Sequence, residues 1–201
     1  MSKSRVEAFS DGVIAIAITL LVLDINVPTP GGGASLASRL GDQWPSYVAY
    51  VVSFMTIGII WVNHHAMLNR IARVTHGVLM LNLLLLLWIG VLPWSTSLFA
   101  EYLREDRGQH LAAAVYAGTL LGMAVTFFAM QTYILSARRA VAGAEIGPEL
   151  RADIIRRNRV GLLPYAVALA AAPLSSYVTL AICGAVALFY ALPRTTADDL
   201  V

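Results

Sequence analysis

Residues 5–24 read Arg5-Val6-Glu7-Ala8-Phe9-Ser10-Asp11-Gly12-Val13-Ile14-Ala15-Ile16-Ala17-Ile18-Thr19-Leu20-Leu21-Val22-Leu23-Asp24. Between Asp11 and Asp24 lie 12 uncharged residues, which rise only about 18 Å as a helix. The hydrocarbon core of a bilayer is about 30 Å thick. A helix long enough to cross it must hold carboxylates within or close to hydrocarbon, and each costs about 2.5–3.5 kcal/mol near the centre unless it faces protein or water. The segment is expected to be an inner helix, shielded by more apolar neighbours.

The rest of the chain supplies those neighbours. Apolar residues make up 58% of the 201 positions and charged residues 13%, against about 25% charge in an ordinary soluble domain. Long uncharged stretches run from Gln43 to Asn69, Val74 to Ala100, Gly108 to Ala137 and Val160 to Pro193. Most exceed the roughly 20 residues that a spanning helix needs. The chain is expected to be an all-α integral membrane protein, residues 1–201 forming a single six-helix transmembrane domain.

Helices are predicted near 4–25, 45–68, 74–99, 109–136, 157–172 and 174–192. The last uncharged stretch holds 34 residues, which would make a helix of about 51 Å. Pro173-Leu174-Ser175-Ser176 is the natural place to fold it in two. Pro28, Pro30 and Gly31-Gly32-Gly33 mark a flexible first loop. Lys3 and Arg5 before Gly12–Leu23, with Ala34-Ser35-Leu36-Ala37 beyond, imitate a secretory signal. Glu7 and Asp11 at the entrance of the apolar run argue against cleavage, so the segment is read as retained.

With six spans, one side receives Lys3, Arg5, Arg70, Arg73, Arg138, Arg139, Arg151, Arg156, Arg157, Arg159 and Arg194. The other receives only Arg39, Arg104 and Arg107 of the 14 basic residues. The asymmetry places both termini in the cytoplasm and the chain in the cell membrane. Trp44, Trp94 and Tyr102 fall near the opposite interface. The formal charge of +2 follows from this distribution, so nucleic-acid binding gains no support from it.

Along the first helix, Phe9, Ile16 and Leu23 recur every seven residues with Gly12 and Thr19 between them, and Leu20 lies one turn after Ile16. Periodicity alone reads first as core packing; the charged ends leave a water-lined passage open as well. Arg5 and Asp11 stand six residues apart, about 240° around a helix, so each needs a partner elsewhere. Trp61, Asn63, His64 and His65 on the second helix are the candidate partners, and a structural hydrogen-bond network is the plainest reading of them.

Enzyme constellations are missing from the sequence. His64 and His65 are adjacent and point about 100° apart, so they make no metal pair of the zinc-helix kind. Ser10-Asp11 lacks a nucleophile elbow, and the glycines at 31–33 are followed by no lysine. No cofactor site is expected, and the lone Cys183 reads as packing. A Thr-Val-Gly-Tyr-Gly filter is also missing, so if ions pass, side chains must select them. Asn82 and Pro93 in the third helix read as a polar contact and a kink with structural roles.

The run from Arg5 through Phe9-Ser10-Asp11 to Leu23 resembles the first-helix signature of the transmembrane protein 175 family, endosomal and lysosomal potassium channels with short prokaryotic relatives. Trp61-Val62-Asn63-His64 is similar to the family's second-helix Trp-x-x-His, and Asn82 with Pro93 to its third-helix pattern. The match is distinctive over residues 5–25 and looser through about residue 99. The resemblance implies a homotetramer whose first helices line a central potassium pathway with a hydrophobic constriction. It makes Ile16 the narrowest ring, Leu20 and Leu23 further apolar rings, and Thr19 a hydroxyl layer. It also gathers Arg5, Phe9, Ser10, Asp11, Trp61 and His64 into a network at the helix ends. Asp24 is either a cation-concentrating outer mouth or a solvated helix end. The competing function is a proton-coupled or other secondary transporter using Asp11 and His64, although no second copy of the Phe-Ser-Asp signature supports internal repeats.

Overall fold

The computed structural model describes residues 2–29, 33–136 and 148–192. Among them are helices α1 (Lys3–Leu20), continued by a 3-10 turn (Leu21–Asp24), α2 (Leu36–Asp42), α3 (Trp44–Asn69), α4 (His76–Tyr102), α5 (Gln109–Ser136), α6 (Pro148–Ala171) and α7 (Ser176–Ala191). Lys3–Asp24, Trp44–Asn69, His76–Tyr102 and Gln109–Ser136 are long and apolar enough to cross a membrane. α7 is a shorter apolar helix, and α6 carries arginines through its first half.

The helices start where local chemistry allows. Thr75 accepts the Val78 N–H ahead of α4, and Ser175 accepts the Val178 N–H ahead of α7, each satisfying a donor that the first turn leaves free. Pro45 stands in the first turn of α3, where a missing N–H costs nothing. α4 continues through Pro93. Thr96 and Ser95 there return their hydroxyl protons to the Leu92 carbonyl.

The predicted fold-back holds: α6 ends at Ala171 and a turn leads through Pro173 to the Ser175 cap. Three contacts pin this turn to its surroundings. Ser176 donates to Gln109 Oε1 at 2.9 Å, His110 Nδ1 lies 2.9 Å from the Ala172 carbonyl, and Thr179 donates to the Ala168 carbonyl at 3.2 Å. Two boundaries differ from the sequence reading. α6 begins at Pro148 rather than near residue 157, because a polar first half is compatible with helix even though it lacks the apolar signal of a span. The short α2, capped by Ser35, interrupts the first loop. Pro30, Gly31, Gly32, Arg138, Arg139 and Arg194 lie outside the described residues.

α4 is the central element, touching α1, α3 and α5, and its pairing with α5 is the most extensive. α5 in turn carries α6 and α7. In lipid, helices gain little from the hydrophobic effect on associating, so close packing and interhelical hydrogen bonds hold them together. Gly122 lets α5 approach the Trp88 indole so closely that an added Cβ would lie 2.5 Å from the ring. A buried polar layer ties three helices: Ser53 Oγ lies 2.8 Å from Thr96 Oγ1 and 3.0 Å from the Tyr116 hydroxyl. Tyr116 stacks on Phe99 with ring centroids 4.9 Å apart. Gly122→Ala is expected to lose about 1–3 kcal/mol by overpacking, read as a lowered unfolding temperature of the purified protein in detergent.

A helix anchored on one face and apolar on the other

α1 has two faces of different character. Val6, Ser10, Ile14, Ala17 and Leu21 are buried and step by three or four residues, which lays them in one stripe against α3 and α4. The opposite face carries Phe9, Gly12, Ile16, Thr19, Leu20 and Leu23, all exposed in the protomer. Ile16 is 61% and Leu23 72% exposed. The heptad stripe is therefore not the core of a single protomer. The inner position expected for this helix requires surfaces beyond its own chain.

The buried stripe is locked by hydrogen bonds near the N-terminal end of α1. Asn82 on α4 donates from Nδ2 to Ser10 Oγ at 2.9 Å, and its Oδ1 lies 2.7 Å from His64 Nε2 on α3. Ser10 donates onward to the Val6 carbonyl at 2.8 Å. An amide oxygen only accepts, so His64 donates from Nε2 and each donor in the chain has an acceptor. All three side chains are fully or almost fully buried. One helix turn from His64, Trp61 donates its indole N–H to Asp11 Oδ1 at 2.9 Å. This bond runs between the two helices at the rim of the exposed face.

Of the residues the sequence grouped here, Ser10, Asp11, Trp61 and His64 are brought to one end of the α1–α3–α4 contact. They form two separate links, since Asp11 bonds Trp61 while His64 bonds Asn82. Arg5 and Phe9 are exposed and join neither link among the described residues. Lys3 and Glu7 form an ion pair of 3.7 Å on the same helix. Asn82, read from the sequence as structural, is the junction of the buried link. The signal that could have found it is a lone amide in the uncharged stretch from Val74 to Ala100: in hydrocarbon such a group needs partners.

Farther along α1, Thr19 donates its hydroxyl to the carbonyls of Ile16 at 2.8 Å and Ala15 at 3.0 Å. Its proton is engaged within the helix while the side chain stays on the exposed face. Asp24 closes the 3-10 turn and is partly buried in a small recess with Ser46, Tyr50, Ser97 and Glu101. It is a helix end held by protein, immediately after Leu23 of the apolar stripe.

The sequence model of the family described as endosomal/lysosomal potassium channel TMEM175 matches residues 5–93. A potassium channel of Streptomyces collinus is 48% identical over 94% of this chain and 91% of its own length. The endosomal/lysosomal proton channel TMEM175 of Gallus gallus is 40% identical over 64% of this chain but only 26% of its own length. The crystal structure of a lysosomal potassium-selective channel TMEM175 homolog from Chamaesiphon minutus superposes with a TM-score of 0.84 at 37% identity, covering 94% of this chain and 96% of that chain. Fold and sequence together define a helical membrane protein of a channel family rather than an enzyme family. The chain belongs to the TMEM175 family.

Asn82→Leu removes the junction itself and leaves the buried His64 N–H without its acceptor, while Ser10 keeps its bond to the Val6 carbonyl. The expected loss is about 1–3 kcal/mol for the group left unsatisfied. Trp61→Phe breaks only the partly exposed link, and a loss of about 0.5–1.5 kcal/mol is expected. Thermal unfolding of the two variants in detergent checks the order.

Proposed function

We propose that this chain is one subunit of a potassium-permeable cation channel in the cell membrane, with six spanning helices over residues 1–201 and both termini cytoplasmic. Four subunits assemble so that their α1 helices surround the pathway. The observation that carries the reading is the outward aliphatic face of α1, opposite the face that Asn82 clamps. An exposed Ile16 and Leu23 would be ordinary on a lipid-facing helix, but α1 also carries Asp11 and Asp24 at its ends, and a carboxylate is costly beside acyl chains. A shared aqueous axis serves both features.

In this assembly Ile16 forms the narrowest ring, with Leu20 and Leu23 as further apolar rings toward the outside. An ion passing Ile16 sheds part of its hydration without carbonyls to replace it. Potassium holds its water less tightly than sodium, so the ring favours potassium to a moderate degree. Thr19, its proton engaged by the helix carbonyls, presents acceptor lone pairs beside the constriction. Asp24 from each subunit raises the local cation concentration at the outer mouth. Ser10, Asp11, Trp61 and His64 hold the helix ends, with Arg5 and Phe9 exposed beside them to meet neighbouring subunits. Potassium is the permeant ion, and no bound cofactor is required.

A proton-coupled transporter working through Asp11 and His64 is the second reading. Against it, the two residues are held by different partners, and the partner of His64 is an amide. An amide passes no proton along a hydrogen-bonded chain without changing its own tautomer. The test is flux from purified protein in liposomes under a potassium gradient. Ile16→Asn is expected to raise the leak and lower the preference for potassium over sodium. Saturable exchange coupled to protons, lost in Asp11→Asn, would instead establish the carrier.

A further inference from the structure

A second feature lies away from α1. Between α3, α5, α6 and α7 runs an open cleft of about 220 Å³. On α3 its wall is made by Thr56, Ile60, Asn63, Met67 and Arg70, at alternating steps of four and three residues, which is one face of the helix. Leu120, Ala124 and Phe127 give α5 the same stepping. Gly161 lets the Tyr190 hydroxyl come close to α6, where an added Cβ would stand 2.8 Å away.

The lining changes character along its length. From Thr56 to Arg70 the helix advances about 21 Å, more than one leaflet of a core about 30 Å thick. Aliphatic and aromatic side chains make most of the wall, with Thr56, Asn63 and Gln131 as polar members, and Arg70 stands at the end of α3 on the arginine-rich side. Arg70 is exposed and makes no ion pair with a described carboxylate. An apolar cavity of about 150 Å³ already holds a benzene-sized hydrocarbon, so this cleft has room for a longer segment. A groove with a mostly apolar wall and, among the described residues, one lining cation without a carboxylate partner matches an amphiphile with an acyl chain and an anionic head.

We propose that the cleft is a binding site for an anionic phospholipid of the surrounding membrane, its acyl chain lying along Ile60, Leu120 and Phe127 and its phosphate held by Arg70. The arginine supplies planar donors suited to phosphate oxygens, and the apolar wall supplies the affinity that a free phosphate lacks. Occupancy would tie α6 and α7 to α3 through the lipid, independently of what passes along α1.

Native mass spectrometry of the full chain in detergent tests the proposal, with phosphatidylglycerol and phosphatidylcholine of equal chain length as probes. Retention of phosphatidylglycerol over phosphatidylcholine is expected. Arg70→Gln should weaken phosphatidylglycerol about tenfold, the equivalent of one charge-assisted hydrogen bond, and Arg70→Lys should restore part of it. Ala124→Phe, which fills the cleft, should reduce both lipids, while Arg73→Gln changes neither. Equal retention of the two lipids, or retention unaltered in Arg70→Gln and Ala124→Phe alike, would overturn the site. Displacement of phosphatidylglycerol by inorganic phosphate alone would overturn the lipid as its occupant. Because Arg70 is exposed, its substitution reports on binding even if Ala124→Phe proves unstable.

Discussion

The rotation of α1 is set by one side chain on another helix. Asn82 accepts from His64 and donates to Ser10, so turning α1 about its axis would carry Ser10 away and strand the buried Asn82 amide N–H, whose side chain His64 holds in place from α3. In water such groups would find other partners; in a bilayer core they would not. With the Val6–Ser10–Ile14–Ala17–Leu21 stripe held inward, the geometry of a helix carries Ile16, Thr19, Leu20 and Leu23 outward. The anchoring of one face and the exposure of the other are a single constraint.

That constraint needs a firm base, and the base is α3, α4 and α5. The Ser53–Thr96–Tyr116 contacts, the stacked Phe99 and the close approach of Gly122 to Trp88 fix these helices without help from α1. α1 lies at the margin of the protomer and rests on α3 and α4. Its two carboxylates are treated differently: Asp11 takes an indole N–H from α3, and Asp24 sits in a recess at the opposite end. Both stand at the limits of an aliphatic run. The basic cleft beyond α3 belongs to the other side of the same base, facing α6 and α7.

Much of the architecture was legible before any coordinates. The four longest spans, the fold-back after Pro173, and a partner for Asp11 among Trp61, Asn63, His64 and His65 follow from uncharged length, a proline and a carboxylate that must be satisfied; the structure selects Trp61. α2 was not legible, because seven residues without apolar periodicity give no helical signal, and neither was the start of α6, where polar residues hide a helix from hydropathy. Asn82 was legible as a polar contact with a structural role, and its bonds to Ser10 and His64 bear this out. A single amide in a helix shows that a partner exists, yet nothing local says that it joins two different helices.

The sequence by itself determined that this chain is helical, belongs in a bilayer and carries on its first helix an apolar stripe between two carboxylates. These are consequences of transfer energies and of period, which act along the chain. Only the tertiary structure decided which face of that helix is exposed, since a stripe at heptad spacing serves equally as core or as surface. The choice is made by the hydrogen bond that Asn82 donates to Ser10 while accepting one from His64 on a third helix, and contacts between distant segments have no signature in either segment alone.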